Sequence, residues 1–352
     1  MTWALPTPEE QVLFLRNMQR LLSEGLFVAS YKFALVHALA DLAVLKGDDS
    51  GDPLELSTKD IAAKFVELYW RQSRPFPVGG ESSSLILQQN TGKQAAIIAK
   101  IAASQQEFGG SLFRLKQGSP DQWHDLVAEV DTVVRTMPLW KLQTVGNEPL
   151  EFLYDNVGKG TKITLKPGVS YCLRAFYELI RDLIEGAWVR FVQKLNANKL
   201  GNITDLGSFL FGNERACLDA YRPILRDVQK GTCLYCQKAL TQQSQVDHFI
   251  PWSRFPADLG HNFVLAHDKC NNAKSDFLAA EQHLEAWLNR NREHKSELQE
   301  RLVASALPCD LGASMQVAKW MYQQTEKSNG QVWVMEKVLK HLDPTWGKCF
   351  AA

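Results

Sequence analysis

Apolar positions recur at three- and four-residue steps along most of the chain, the period of a helix face turned to a core. Residues 9–24 carry Leu13, Leu15, Leu21 and Leu22 in this way, with Gly25 placed as a C-cap. Residues 26–45 are apolar almost throughout and predict a buried helix. Lys32, His37 and Asp41 interrupt that stretch too often for a lipid-facing span. The Gly- and Asp-rich run 47–53 closes it in a loop. Ser57, with Asp60 three residues on, has the pattern of an N-cap and its capping-box acid, and Ile61, Phe65 and Leu68 mark the face of the helix that follows. The Pro, Gly and Ser content of 71–84 predicts a loop, and helices are predicted at 94–103 and 121–136.

Residues 150–154 and 162–165 alternate well enough to predict a short hairpin. After Pro167-Gly168, the positions Leu173, Phe176, Ile180, Ile184, Trp188, Phe191 and Leu195 predict one long core helix. Residues 231–278 change character, becoming turn-rich with Cys and His. From Ala279 to about His341 the pattern is helical again, with Trp287, Leu298 and Leu302 in one segment and Val317, Trp320 and Met321 in another. The fold class is therefore mainly α with a small α+β module. Three regions are expected: 1–220, helical, as scaffold, regulatory or DNA- and partner-binding part; 221–280, the module; 281–352, a helical extension packed on the rest. A winged-helix DNA reader built on the 58–69 helix and the 150–165 hairpin is the alternative for the first region. The lack of a basic recognition helix favours a scaffold.

Charge narrows the function classes. Lys+Arg and Asp+Glu are 39 each, so the 352-residue chain has no overall basic coat to grip nucleic acid. A local basic face is still allowed, and Arg222, Arg226, Lys230, Lys238 and Arg254 lie in or just before the module. The first eight residues lack a basic region ahead of an apolar run, so no signal peptide is read. Seven cysteines, unevenly spread, do not suit a secreted disulfide framework. A cytoplasmic protein with no membrane segment is expected.

Three cysteines carry the chemistry. Cys233-Leu-Tyr-Cys236 and His267-Asp-Lys-Cys270 are two metal knuckles, the spacing of a tetrahedral Zn²⁺ site. All four positions are protein ligands, so this zinc is structural, a staple for a segment too short to hold itself rigid. Between the knuckles stands Val246-Asp247-His248-Phe249-Ile250-Pro251, then Asn262, and Cys270 is followed by Asn271. His261, beside Asn262, is expected to be an exposed loop residue.

The order Cys-x2-Cys, Asp-His-x-x-Pro, Asn, His-x2-Cys-Asn-x2-Lys resembles the HNH endonuclease motif of the His-Me finger, or ββα-metal, superfamily. The resemblance spans about residues 231–280. It implies His248 as general base, Asp247 and Asn271 as ligands of a catalytic cation, and Asn262 as the residue that orients the catalytic loop. Lys274 is implied to contact a phosphate of the nucleic acid, and Arg254, from the local basic excess, is expected to meet it as well. His267 stands where many zinc-bearing members have Cys, and the motif closes on Asn271 where others have His. The oxygen donors of Asp247 and Asn271 favour Mg²⁺ or Mn²⁺. An imidazole, ordinarily titrating at about 6.5, accepts a proton from water at neutral pH. A cation neutralises the phosphate and the departing 3′-oxygen, leaving 5′-phosphate and 3′-hydroxyl ends.

A metal-dependent DNA endonuclease is the first reading. A non-catalytic, zinc-dependent nucleic-acid-binding module is the alternative, but such a module needs neither Asp247-His248 nor Asn271. Chains that join an HNH motif to a large non-catalytic part resemble effectors of bacterial restriction or anti-phage defence, which implies an activating protein partner besides DNA.

Overall fold

The computed structural model describes residues 3–77, 84–146, 148–156, 160–200, 205–212, 215–241, 244–257 and 259–351. It divides into two compact units, Met1–Gly212 and Asn213–Ala352. The fold is mainly helical with five two-stranded antiparallel sheets among the described residues. None of its described helices is long and apolar enough to cross a membrane.

In the first unit, helix Tyr31–Lys46 is buried around nearly its whole circumference, from Lys32 to Val44. It starts later than its hydropathy suggests. Val28 and Ser30 bond to the backbone of Thr91 and Gln89 (2.8 and 3.0 Å), and this holds the segment before Tyr31 extended. Helix Pro8–Glu24 begins in a capping box. Thr7 Oγ1 accepts from the Glu10 amide, and Glu10 accepts from the Thr7 amide at 2.7 Å. Gly25 takes the C-cap position as expected, in an extended conformation (φ −66°, ψ 142°) that bridges Val145. Ser57 caps helix Thr58–Gln72 as expected, accepting from the Asp60 amide at 3.1 Å. The Asp60 carboxylate instead pairs with Lys46 at 2.6 Å.

Two expectations in this unit are corrected. Strand Lys162–Leu165 pairs with Leu54–Ser57 over four residues, not with 150–154. Leu56, Ile163 and Leu165 thereby share a buried face. Segment 150–154 keeps only the Tyr154–Leu165 bridge, because the buried Gln143 amide takes the Leu153 N–H and the Tyr154 carbonyl, both at 2.7 Å. Of the connection expected at 156–160, residues 157–159 lie outside the described residues. Without that hairpin a winged helix has no wing. The long core helix is also two, Val169–Ala175 and Tyr177–Leu195, broken at Phe176 (φ −112°, ψ 23°). Arg174 and Tyr177, flanking the break, both tie to the central helix, at the Ala43 and Val44 carbonyls and at Asp41.

Segment 71–84 is likewise not all loop. Pro75–Pro77 pairs with Ser84–Ile86.

In the second unit, Tyr221, Ile224, Leu225 and Val228 pack with Phe263, Leu265, Leu298, Leu302 and Leu307. The core thus joins helix Arg222–Val228, strand Phe263–His267 and helix Lys295–Ala304. The helical run expected to His341 ends earlier. Helix Leu311–Lys327 gives way to a hairpin, Gln331–Met335 with Val338–His341. Trp333 exchanges backbone bonds with Leu278 and Ala280 (2.7 and 2.8 Å), so this hairpin is fused to the segment that follows helix Asp268–Lys274.

Candidate active site and zinc cluster

The first knuckle follows helix Arg222–Val228 through a turn that contains Gly231 at φ +66°, a conformation that favours glycine. A tight hairpin turn comes next. Cys233 N–H donates to Lys238 O and Gln237 N–H to Cys233 O, both at 2.9 Å. Strands Ser244–His248 and Phe263–His267 pair with Ser244 opposite His267 and His248 opposite Phe263. One end of the ribbon therefore carries a knuckle ligand and the other carries His248. Helix Asp268–Lys274 starts directly after His267, which brings Cys270 back to the first knuckle.

The ligand atoms of Cys233, Cys236, His267 and Cys270 all lie within 4.8 Å of one another. Tetrahedral zinc with bonds of about 2.3 Å to sulfur places its ligands roughly 3.8 Å apart, so the cluster fits a structural zinc. His267 Nε2 donates to Ala239 O at 3.0 Å, and Nδ1 is 3.3 Å from Cys236 Sγ. That outer bond fixes the tautomer, leaving Nδ1 as the ligand atom.

At the other end, Asp247, His248, Asn271, Pro251 and Trp252 line one cleft of ≈ 290 Å³ with Asn272, Ser275 and Asp276. His248 is the last residue of its strand, and this lets Asp247 and His248 reach the same space despite the pleat. The His248 ring packs edge-on against Phe263 (4.6 Å) and Trp252 (5.5 Å). Asn271 Nδ2 donates to Gln245 Oε1 at 2.6 Å, which leaves its carbonyl oxygen as the acceptor end of the amide. Asn262 stands outside the cleft and clips the chain just after His248. Its Oδ1 accepts from the Ile250 amide (2.8 Å), its Nδ2 donates to Ile250 O (2.9 Å), and its own carbonyl accepts from Phe249 N–H (2.9 Å).

Two expected positions are corrected. Lys274 has no exposed surface, so it does not reach a phosphate. Its ammonium lies 3.2 Å from Asp247 Oδ2 and donates to His248 O at 3.0 Å. His261 is fully buried, and burial first, then the nearby Arg290 charge, pushes its imidazole down to about 4, so it is neutral at neutral pH. Arg254 is half-buried on the turn after Pro251 and is not among the cleft-lining side chains. Arg222 and Arg226 turn toward the module itself, at Ser244 Oγ (3.4 and 3.2 Å).

The residues that brace this site were not visible as candidates in the sequence. Tyr235 donates to Asp247 Oδ2 at 2.5 Å. From helix Glu281–Glu293, Trp287, Arg290 and Asn291 all donate to His261 O (2.9, 2.8 and 3.1 Å), and Arg290 also donates to Phe263 O at 2.9 Å. These bonds hold both neighbours of Asn262. The usable signal was an Arg-Asn pair on the same stripe as Leu284, Trp287 and Leu288, where an apolar residue would be expected.

Residues 233–277 match the family model described as HNH endonuclease. No curated protein and no solved structure matches the chain.

Proposed function

Starting from the HNH endonuclease domain at residues 233–277, we propose that this chain is a metal-dependent endonuclease hydrolysing phosphodiester bonds of DNA. The observation that carries the reading is the shared cleft: Asp247, His248 and Asn271 line one space, next to a four-ligand cluster suited to structural zinc. A zinc module that only bound nucleic acid would have no use for an imidazole, a carboxylate and an amide converging there.

The carboxylate of Asp247 and the amide oxygen of Asn271 are hard donors that suit Mg²⁺ or Mn²⁺. When bound, such a cation supplies charge neutralisation on the scissile phosphate and on the departing oxygen. His248 takes the proton of the attacking water. Phe263 and Trp252 restrict the plane of its ring, and Asn262 fixes the backbone that follows it. Phosphate contact falls to exposed groups around the cleft, because Lys274 is buried.

Control of such an enzyme falls to the N-terminal region. The chain has no net positive charge, so charge alone gives it little hold on ordinary DNA. We read residues 1–220 as the part that receives an activating protein partner in the cytoplasm, the arrangement of a restriction or anti-phage effector.

The test is incubation of the pure protein with supercoiled plasmid, single-stranded DNA and RNA in Mg²⁺, Mn²⁺ or EDTA. Cleavage of DNA that EDTA stops is expected. His248→Ala should lower its rate by about 10²–10⁴-fold, with zinc content and fold unchanged. Cleavage at the parent rate by that variant would remove His248 as the base.

A further inference from the structure

We propose that Tyr235 and Lys274 are positioning residues that fix the Asp247 carboxylate for its cation, and that Tyr235 makes the zinc-ligand turn the carrier of this clamp. The inference rests on the reading of Asp247 as a cation ligand. Tyr235 stands between Cys233 and Cys236, and its hydroxyl donates to Asp247 Oδ2 at 2.5 Å. Lys274 Nζ meets the same oxygen at 3.2 Å. Both donors fall on Oδ2, so Oδ1 is the oxygen left to the cleft.

Both positioning groups are themselves held. Tyr235 is 4% exposed and Lys274 is 0% exposed. The Tyr235 ring stands edge-on to Trp333 (5.3 Å) and to His283 (5.5 Å). His283 in turn donates to Val334 O at 2.8 Å. The clamp is therefore anchored in the C-terminal hairpin as well as in the knuckle. Lys274 lies 6.0 Å from the centre of the Tyr235 ring and donates to the carbonyls of His248 (3.0 Å) and Ser275 (3.4 Å). It thus touches the backbone of the base as well as the side chain of its neighbour.

Packing alone does not account for this. A phenylalanine at 235 would fill the same space between Trp333 and His283. A buried ammonium is costly to desolvate, only its partners offset that cost, and a core position needs no charge. What the hydroxyl and the ammonium add is a single orientation of one carboxylate. Outer partners of this kind orient a ligand and, when removed, typically cost about 10–100-fold in metal affinity.

The experiment measures Mn²⁺ binding by titration calorimetry to full-length His248→Ala, alone and with Tyr235→Phe. The phenylalanine keeps the ring packing. The Mn²⁺ dissociation constant should rise about 10–100-fold, with zinc held at one per chain. In the active background, Tyr235→Phe should raise the Mg²⁺ concentration for half-maximal cleavage by the same factor, and saturating Mg²⁺ should restore most of the rate. Lys274→Met should act in the same direction, and if it does not fold, Tyr235→Phe decides. Unchanged Mn²⁺ affinity in Tyr235→Phe overturns the proposal. So does loss of Mn²⁺ only in parallel with loss of zinc, because Tyr235 would then merely hold the knuckle. A shifted Mn²⁺ affinity in a protein that cuts no nucleic acid upholds the clamp and removes the endonuclease reading.

Discussion

The two units bury charge in different ways. In Met1–Gly212 acids and bases neutralise one another, with the buried Arg174 also holding the Ala43, Val44 and Gly47 carbonyls beside its Asp49 partner. The His37 ring lies 3.4 Å from Asp41 and 3.3 Å from Glu185, Tyr177 donates to Asp41 at 2.8 Å, and Glu67 is held by Lys64 and Lys116 (2.7 and 2.6 Å). In Asn213–Ala352 the buried cations border the candidate site: Lys274 meets Asp247 and the His248 carbonyl, and Arg290 holds backbone alone. Arg290 is 6% exposed, with no carboxylate partner among the described residues, and it donates to the carbonyls on either side of Asn262. Burial pulls its guanidinium down to about 9, still charged at neutral pH. A closed network of acids and bases ties helices together. A cation aimed at loop carbonyls fixes where a loop lies, and the loops held here are those that flank the cleft. Buried charge is costly to desolvate in both units. Only in the second do these buried charges border the cleft lined by Asp247, His248 and Asn271.

The largest test of this contrast removes the staple. Cys236→Ser should lose the zinc and unfold the second unit, while the helices of the first persist, because structural zinc contributes folding free energy directly. Metal analysis with hydrogen exchange along the chain reads both. Undiminished zinc would reject the cluster, and collapse of both units together would erase the distinction between them.

A smaller effect compares one charge from each unit, the buried Arg290 and the half-buried Glu67. Arg290→Met leaves the Phe263 carbonyl without that donor and the His261 carbonyl with two of its three, at about 1–3 kcal/mol for a buried group left unsatisfied. Its cleavage rate per folded molecule should fall at least about tenfold, since small displacements of catalytic groups are costly. Glu67→Gln leaves Lys64 and Lys116 facing a neutral amide, so it should destabilise by a similar amount with cleavage per folded molecule unchanged. Urea unfolding beside plasmid cleavage checks the pair. Equal loss of cleavage in both variants would show that Arg290 serves stability alone.

How much of this was legible in the sequence follows the range of the interactions. Ser57 as a cap and the knuckle spacing act over a few residues, and both read correctly. The motif brought Asp247, His248 and Asn271 to one cleft because a strand, its partner and the next helix are nearly contiguous. The pairing of Leu54–Ser57 with Lys162–Leu165 spans more than a hundred residues. It won over the nearer hairpin because Gln143 had satisfied the competing segment. Lys274 and His261 were misplaced for one reason. A polar side chain in a motif looks exposed until its burying partners are known: for Lys274 they are Asp247 and the His248 carbonyl, within the motif but on the preceding strand, and for His261 they lie on helix Glu281–Glu293. Arg290 gave no motif signal, because a guanidinium that binds carbonyls has no partner side chain to pair with in sequence.

The smallest effect is the pH response of the closed network. Burial opposes charge on His37, but Asp41 and Glu185 outweigh it and raise the imidazole to about 9. The folded value then lies above the ordinary value of about 6.5, so protonated His37 stabilises the folded state. That contribution is fully present below about pH 6.5 and is lost as pH rises through about 9. The contribution is on the order of 3 kcal/mol at most. Asp41 works in the opposite sense: burial raises its carboxyl, the charge and hydrogen bond of His37 outweigh this, and its pKa is lowered. Its share is present at neutral pH and is lost only as the solution becomes strongly acid. The first unit should therefore be most stable from mildly acid to neutral pH and weaken toward pH 9. His37→Gln, which can still bond to Asp41 or Glu185 but cannot titrate, should flatten the alkaline limb. Urea unfolding at pH 6, 7.5 and 9, followed by hydrogen exchange in residues 31–46, reads the difference. An alkaline limb of the same slope in His37→Gln would place the titration in another group and leave the network a set of hydrogen bonds with no net charge on His37.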